Sequence, residues 1–178
     1  MDRPDIPVVS VFGANAPVEG DEAYQQARAA GRELARLGYA VANGGYAGTM
    51  EASFRGAKEA GGATIGVICT LWKSPANRYT DRVIKTRDLF ERARTLVELG
   101  SAGYVVLPGA TGTLVELALV WELTCKRLMA RRPIVCLGHF WDGLIAAMSQ
   151  ARPGCEHFIA VVDSPAELPR HFAARGGL

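Results

Sequence analysis

Leu107-Pro108-Gly109-Ala110-Thr111-Gly112-Thr113-Leu114-Val115-Glu116 is the stretch that decides how this chain folds. The apolar run Tyr104-Val105-Val106-Leu107 leads into it, and a long apolar segment follows. That order is a strand, a tight glycine turn and the start of a helix. Such a turn aims several backbone N–H groups at one point, and the helix dipole favours an anion there. Gly109 and Gly112 let the main chain approach a ligand closely or take a positive φ. Thr111 and Thr113 add hydroxyl donors. Glu116 is expected in the first turn of the helix, its carboxylate beside whatever the loop holds. Glycine turns also serve packing alone, and an early glutamate also serves as a cap.

Working outward, the same logic recurs. Asn43-Gly44-Gly45-Tyr46-Ala47-Gly48-Thr49-Met50 follows the strand-like Tyr39-Ala40-Val41-Ala42 and opens a helix through Met50, Phe54 and Ala57. Pro7 to Gly13 reads as a first strand, with a loop from Ala14 to Gly20. Asp21 is placed to cap a helix in which Tyr24, Ala27, Gly31, Leu34 and Ala35 recur at helical spacing, ended by Gly38. Further strands are expected at 63–69, 82–85, 104–107, 133–137 and 158–162. Further helices are expected at 88–99, from Thr111 to about Met129, and from Trp141 to Gln150. Ser164 with Glu167 fits a capping box for a final helix. Residues 70–81 show no period and read as an irregular loop over the site or at an interface. Strands alternating with helices imply a parallel sheet with helices on both faces, an α/β fold of three layers. Ligands then bind beyond the C-terminal strand ends, and both glycine loops belong on that edge. No boundary interrupts the chain, so residues 1–178 are expected to form one domain.

The bulk properties exclude several classes. The chain has 178 residues, 49% of them hydrophobic and 21% charged, with a net charge of +2. That charge gives no argument for nucleic acid or an anionic membrane. No apolar run is long enough to span a bilayer. The polar start, Met1 to Asp5, lacks the layout of a signal peptide, so a cytoplasmic protein is expected. Cys69, Cys125, Cys136 and Cys155 form no CxxC pair and read as reduced thiols in or near the core. His139, His157 and His171 lie beyond the motifs and show no metal pattern. No metal and no cofactor are expected.

The segment after the central loop has almost no polar side: Leu114, Val115, Leu117, Ala118, Leu119, Val120, Trp121 and Leu123. A helix apolar all round is buried all round. One face can pack on the sheet, and the other is expected to meet a second copy in a symmetric homodimer.

The residues resemble the LOG family, cytokinin-activating nucleotide phosphoribohydrolases once mislabelled lysine decarboxylases. That family carries PGGxGTxxE and an earlier GGGxxGLMG. Pro108 to Glu116 fits the first pattern with Ala110 in place of a glycine. Asn43 to Glu51 fits the second more loosely, departing at Asn43, Thr49 and Glu51. The resemblance covers roughly residues 7 to 145. It implies a Rossmann-like fold, a homodimer, and hydrolysis of the N-glycosidic bond of a nucleoside 5′-monophosphate to free base and ribose 5-phosphate. It places a catalytic arginine in the helix before the glycine strand, which falls on Arg92, with Arg94 as a rival. Glu116 would stabilise the oxocarbenium-like ribose or activate water. The loop Gly109, Ala110, Thr111, Gly112 and Thr113 would hold the 5′-phosphate. Gly13 to Asn15 and Gly44, Gly45, Gly48 and Met50 would enclose sugar and base. Glu51 is a second carboxylate, equally readable as helix surface.

Other readings remain beside this one. A nucleotide- or molybdenum-cofactor-binding carrier would use the same fold and loops without turnover. A dinucleotide-dependent dehydrogenase is disfavoured, since neither loop reads GxGxxG. A pyridoxal-dependent decarboxylase needs a Schiff-base lysine, and nothing marks Lys58, Lys73, Lys85 or Lys126 as one. Trp72 reads as packing or as a surface on which a base could stack.

Overall fold

The structure is a computed structural model that describes residues 6–172; residues 1–5 and 173–178, the ends of the expected domain, lie outside the described residues. The strands are β1 (Val8–Phe12), β2 (Ala40–Asn43), β3 (Thr64–Cys69), β4 (Arg82–Thr86), β5 (Gly103–Val106), β6 (Ile134–Leu137) and β7 (Ile159–Val162). All pair in parallel, in the order β4-β3-β2-β1-β5-β6-β7. The helices are α1 (Glu22–Arg36), α2 (Thr49–Glu59), α3 (Leu89–Leu99), α4 (Thr111–Cys125) and α5 (Asp142–Ala151). This is the expected α/β architecture.

Period-two alternation divides the core. Val9, Val11, Val105, Leu107, Val135 and Leu137 pack with α1 and α2 residues such as Leu34 and Phe54. Phe12, Tyr104, Val106, Ile134 and Cys136 pack with Leu96 and Val97 of α3 and Leu117 and Val120 of α4. Adjacent strand residues point to opposite faces, so these two clusters are the two sides of one sheet. Each fully buried Leu or Phe contributes roughly 1.5–3 kcal/mol of apolar burial. The edge strand β4 instead exposes Arg82 and Lys85, charges that discourage another chain from pairing there.

The chain runs outward from β1 to β4 and then returns through α3 to β5, on the other side of β1. The order therefore reverses between β1 and β5. The crevice above that point, beyond the C-terminal strand ends, is where this architecture offers a ligand site.

α1 and α2 cross at close range because each presents a glycine. A Cβ added at Gly31 would collide with the Ser53 carbonyl, and one added at Gly56 with the Arg28 carbonyl. Both obstacles are backbone, which cannot swing aside. Gly56→Ala is expected to cost about 2–3 kcal/mol in denaturant unfolding; an unchanged midpoint would show that the helices separate freely.

Three local expectations are corrected. Asp21 stands at the N-cap of α1, but its Oδ2 takes the Val18 N–H at 2.9 Å and no helical N–H. α4 ends at Cys125, short of Met129, because Arg127 adopts φ 56. There Arg127 N donates to Thr124 O and Leu128 N to Leu123 O, at 3.1 and 2.9 Å, a paired closure that usually needs glycine. The last helix, Pro165–Arg170, is 3-10 and contains Pro169, and Ser164 makes no side-chain cap. Glu167 Oε1 accepts from Asp163 N at 3.1 Å instead.

Candidate active site

A cavity of about 730 Å³ opens over the β1–β5 reversal. Its lining comes mainly from five places: Gly13, Ala14 and Asn15 after β1; Gly44, Tyr46, Ala47, Met50 and Glu51 after β2; Trp72 and Ser74 to Asn77 after β3; Arg92 on α3; and Ala110, Gly112, Thr113 and Glu116 at the start of α4. Of the residues expected at the site, Gly13, Asn15, Gly44, Met50, Arg92, Ala110, Gly112, Thr113 and Glu116 line this space. Gly45, Gly48, Gly109 and Thr111 do not. Gly45 accepts Asn77 N–H at 2.7 Å, Gly48 is the N-cap of α2, Gly109 lies against the Thr113 side chain, and Thr111 is the first residue of α4.

Arg92 and Glu116 meet on the cavity wall. Arg92 is 7% exposed and Glu116 7%, and Arg92 Nη1 donates to Glu116 Oε1 at 3.3 Å. Arg92 Nε donates to Val67 O, at the middle of β3, at 2.9 Å. The guanidinium also lies 5.3 Å from the Trp72 ring centre and 5.8 Å from that of Tyr46, within range of a cation–π attraction. Arg92 reaches this place because Gly44 has no side chain; a Cβ there would overlap Nη2 and crowd Met50 Sδ. Arg94, two residues on, is exposed, and so is Arg87, which pairs with Glu91 at 3.0 Å. The geometry separates the two rivals: Arg92 faces the cavity and Arg94 faces solvent.

Glu116 sits in the second turn of α4, since the helix begins at Thr111. This corrects the first-turn expectation. Helical Cα–Cβ bonds tilt toward the N-terminus, so a second-turn side chain still reaches the loop end. Burial pushes its carboxyl up to about 7, against the lowering pull of Arg92. A carboxyl poised there exchanges a proton easily at neutral pH.

At the head of α4, the N-cap is Ala110 with φ −94, and no side chain caps the helix. Alanine is therefore unstrained in place of the family glycine. The first N–H groups of a helix have no partner within it, which leaves those of Thr111, Gly112 and Thr113 free to bind an anion. Trp141 Nε1 donates to Leu107 O at 3.1 Å and fixes the start of this loop. In the sequence Trp141 read only as a helix residue.

The second loop is held by Asn43, buried at 0%. Its Nδ2 donates to Met50 O at 2.9 Å and to Ser53 Oγ at 3.0 Å, and its Oδ1 accepts Gly45 N–H at 2.7 Å. The departure from the family glycine thus supplies a side-chain brace. Residues 70–81 fold over the cavity, tied down by Asn77, whose Nδ2 donates to Tyr46 O at 2.8 Å. Tyr46 and Trp72 form one aromatic wall, their ring centres 5.7 Å apart. Residues 70–81 read as an irregular loop over the site or at an interface, and the structure places Trp72 and Ser74 to Asn77 on the cavity, with Tyr46 from the second glycine loop beside them.

The histidines lie elsewhere. His139 is exposed between Asp142 and Asp163, at 2.8 and 2.7 Å. Among the described residues no group of three or more His, Cys, Asp or Glu could hold a metal. No helix among them is long and apolar enough to cross a membrane.

A seven-stranded parallel sheet with a cavity at its reversal point defines a Rossmann-like α/β protein. The chain belongs to the SLOG cluster4 family, whose model matches residues 6–166. It is 34% identical over 155 residues to the cytokinin riboside 5′-monophosphate phosphoribohydrolase of Mycobacterium marinum, covering 84% of this chain and 81% of that one. The same-named protein of Mycobacterium tuberculosis is 34% identical over 145 residues, covering 78% and 75%. Among solved structures, the molybdenum cofactor carrier protein of Chlamydomonas reinhardtii is 27% identical with a TM-score of 0.69, covering 92% and 93%. The molybdenum cofactor binding protein of Rippkaea orientalis shares the fold, with a TM-score of 0.72 and 24% identity.

Proposed function

We propose that this protein is a nucleoside 5′-monophosphate phosphoribohydrolase. Water and a nucleoside monophosphate become free base and ribose 5-phosphate. The observation that carries the proposal is the Arg92–Glu116 pair, buried in the wall of a cavity that also holds the uncapped head of α4. The relatives named as phosphoribohydrolases support it.

In this reading the 5′-phosphate takes the free N–H groups of Gly112 and Thr113 and the Thr113 hydroxyl. The anomeric carbon then lies near Glu116. As the C–N bond breaks, the electron pair leaves with the base and positive charge grows on the ribose. The Glu116 carboxylate stabilises that charge and takes a proton from the attacking water, the departing base picks up a proton from solvent, and Glu116 releases its own to solvent; Arg92 holds the carboxylate in place. The test is incubation with AMP and other monophosphates, followed by chromatography for free base. No release from any of them would reject the reading.

A carrier without turnover is the second reading, favoured by the likeness to the Chlamydomonas carrier over nearly the whole chain. Tight binding of nucleotide or pterin with no base release would establish it.

The oligomer and compartment belong to the same proposal: a cytoplasmic homodimer formed through α4. Val115 is 47% exposed, and Ala118 is exposed beside half-buried Leu114, Leu119 and Leu123. Val115→Glu would place a charge in the centre of that face. Sedimentation is expected to show the parent chain as a dimer and the variant as a monomer; a parent that sediments as a monomer at micromolar concentration would end the idea.

A further inference from the structure

The two helix heads that meet at the cavity both lack a side-chain cap but differ in first-turn charge. α4 has no acidic residue in its first turn and no side-chain cap. α2 has Glu51 in its first turn, and Glu51 lines the cavity. An acidic side chain there already complements the helix dipole and repels a second anion. The phosphate therefore belongs at α4, and the α2 end is left as an acceptor of hydrogen bonds.

Glu51 is held in that role. Tyr24, 3% exposed in α1, donates its hydroxyl to Glu51 Oε1 at 3.2 Å. Glu51 takes part in none of the ion pairs found among the described residues; nearby Arg55 pairs with Glu19 and Glu59. A purely surface glutamate on α2 would need neither the cavity nor a buried phenol.

We propose that Glu51 determines specificity: its carboxylate accepts two adjacent hydrogen-bond donors from the part of the substrate remote from the phosphate. The inference rests on the nucleotide reading above. An ionised carboxylate only accepts. A nucleoside monophosphate offers such a donor pair in two places, the vicinal ribose hydroxyls and the N1–H with N2–H₂ edge of guanine. The edge of adenine sets one donor beside one acceptor and does not match.

The experiment measures Kd by calorimetry, and base release, for GMP, AMP and their 2′-deoxy forms with the parent chain, E51Q and Y24F. Glutamine presents one donor and one acceptor. If Glu51 reads the base, E51Q lowers the GMP-to-AMP preference at least tenfold and leaves the ribo-to-deoxy preference alone. If it reads the diol, the ribo-to-deoxy preference falls at least tenfold and the base preference stays. Tyr24 is a positioning residue, and Y24F should move the same ratio about threefold; it also carries the test should E51Q fail to fold. Both ratios within twofold of the parent, with binding intact, would overturn the role of Glu51 alone. Binding without base release would reject the hydrolase while the Kd ratios still judge Glu51. A parent chain that binds no monophosphate would bring down both.

Discussion

Glu116→Gln is expected to lower base release by about 10³-fold or more, near 4 kcal/mol of transition-state stabilisation, while leaving the fold as stable as before or more so. The two effects share one cause. The folded protein holds the Glu116 carboxyl at about 7, above its ordinary 4.5, because burial penalises the charge. A carboxyl whose folded value is raised contributes stability in its neutral form, fully present below the unfolded value and lost as pH climbs through the folded one. Ionising Glu116 above pH 7 therefore costs the native state roughly 3 kcal/mol, by the usual conversion of pKa shift to free energy. Glutamine keeps the shape and never ionises. At pH 8 the variant is expected to melt higher than the parent, and at pH 5 the two should nearly coincide. In the parent, kcat/KM should rise close to tenfold per pH unit below 7 and level off above it, since the carboxylate is the working form. Full base release by the variant, or a profile that is flat from pH 6 to 8, would sink the assignment.

The fold was legible where the sequence carried period and punctuation together. β1, β5 and β6 are short apolar runs, each followed by glycine or proline; the place of the reversal, between β1 and β5, comes only from the strand pairing. The end of α4 was not legible, because Arg127 takes a backbone conformation normally marked by glycine. The final segment misled because Ser164 and Glu167 have capping-box spacing, while Pro169 leaves only a 3-10 turn. At the site, the glycine loops announced themselves through composition. The wall formed by Tyr46, Trp72 and residues 74–77 was legible only as alternatives, site or interface for the loop and packing or stacking for Trp72, because an Asn77 hydrogen bond across some thirty residues decides where the loop lands. Arg92 and Arg94 were equivalent as letters. On a helix they point about 200° apart, and the buried Ala93, Leu96 and Val97 give the phase only once the sheet they face is known.

Arg92→Met should separate charge from shape at this pair. Removing one partner of a buried ion pair leaves the other uncompensated, at a cost of about 3–5 kcal/mol if the charge is kept. Glu116 has a cheaper course, which is to hold its proton. Arg92 lowers the carboxyl through both its charge and its hydrogen bond, so without it the carboxyl rises further above 7. Base release at pH 7 is then expected to fall by at least about 10²-fold, and the inflection of the pH profile should move at least about one unit toward alkaline pH. Arg92→Lys keeps the charge but cannot donate from one rigid fork to Val67 O and Glu116 Oε1 together. It should lose rate with a smaller displacement of the inflection. Arg94→Ala, at an exposed position on the same helix, should change neither. An Arg92→Met profile with an unmoved inflection would mean that the guanidinium does not govern Glu116, and the arginine would then act on the substrate directly or not at all.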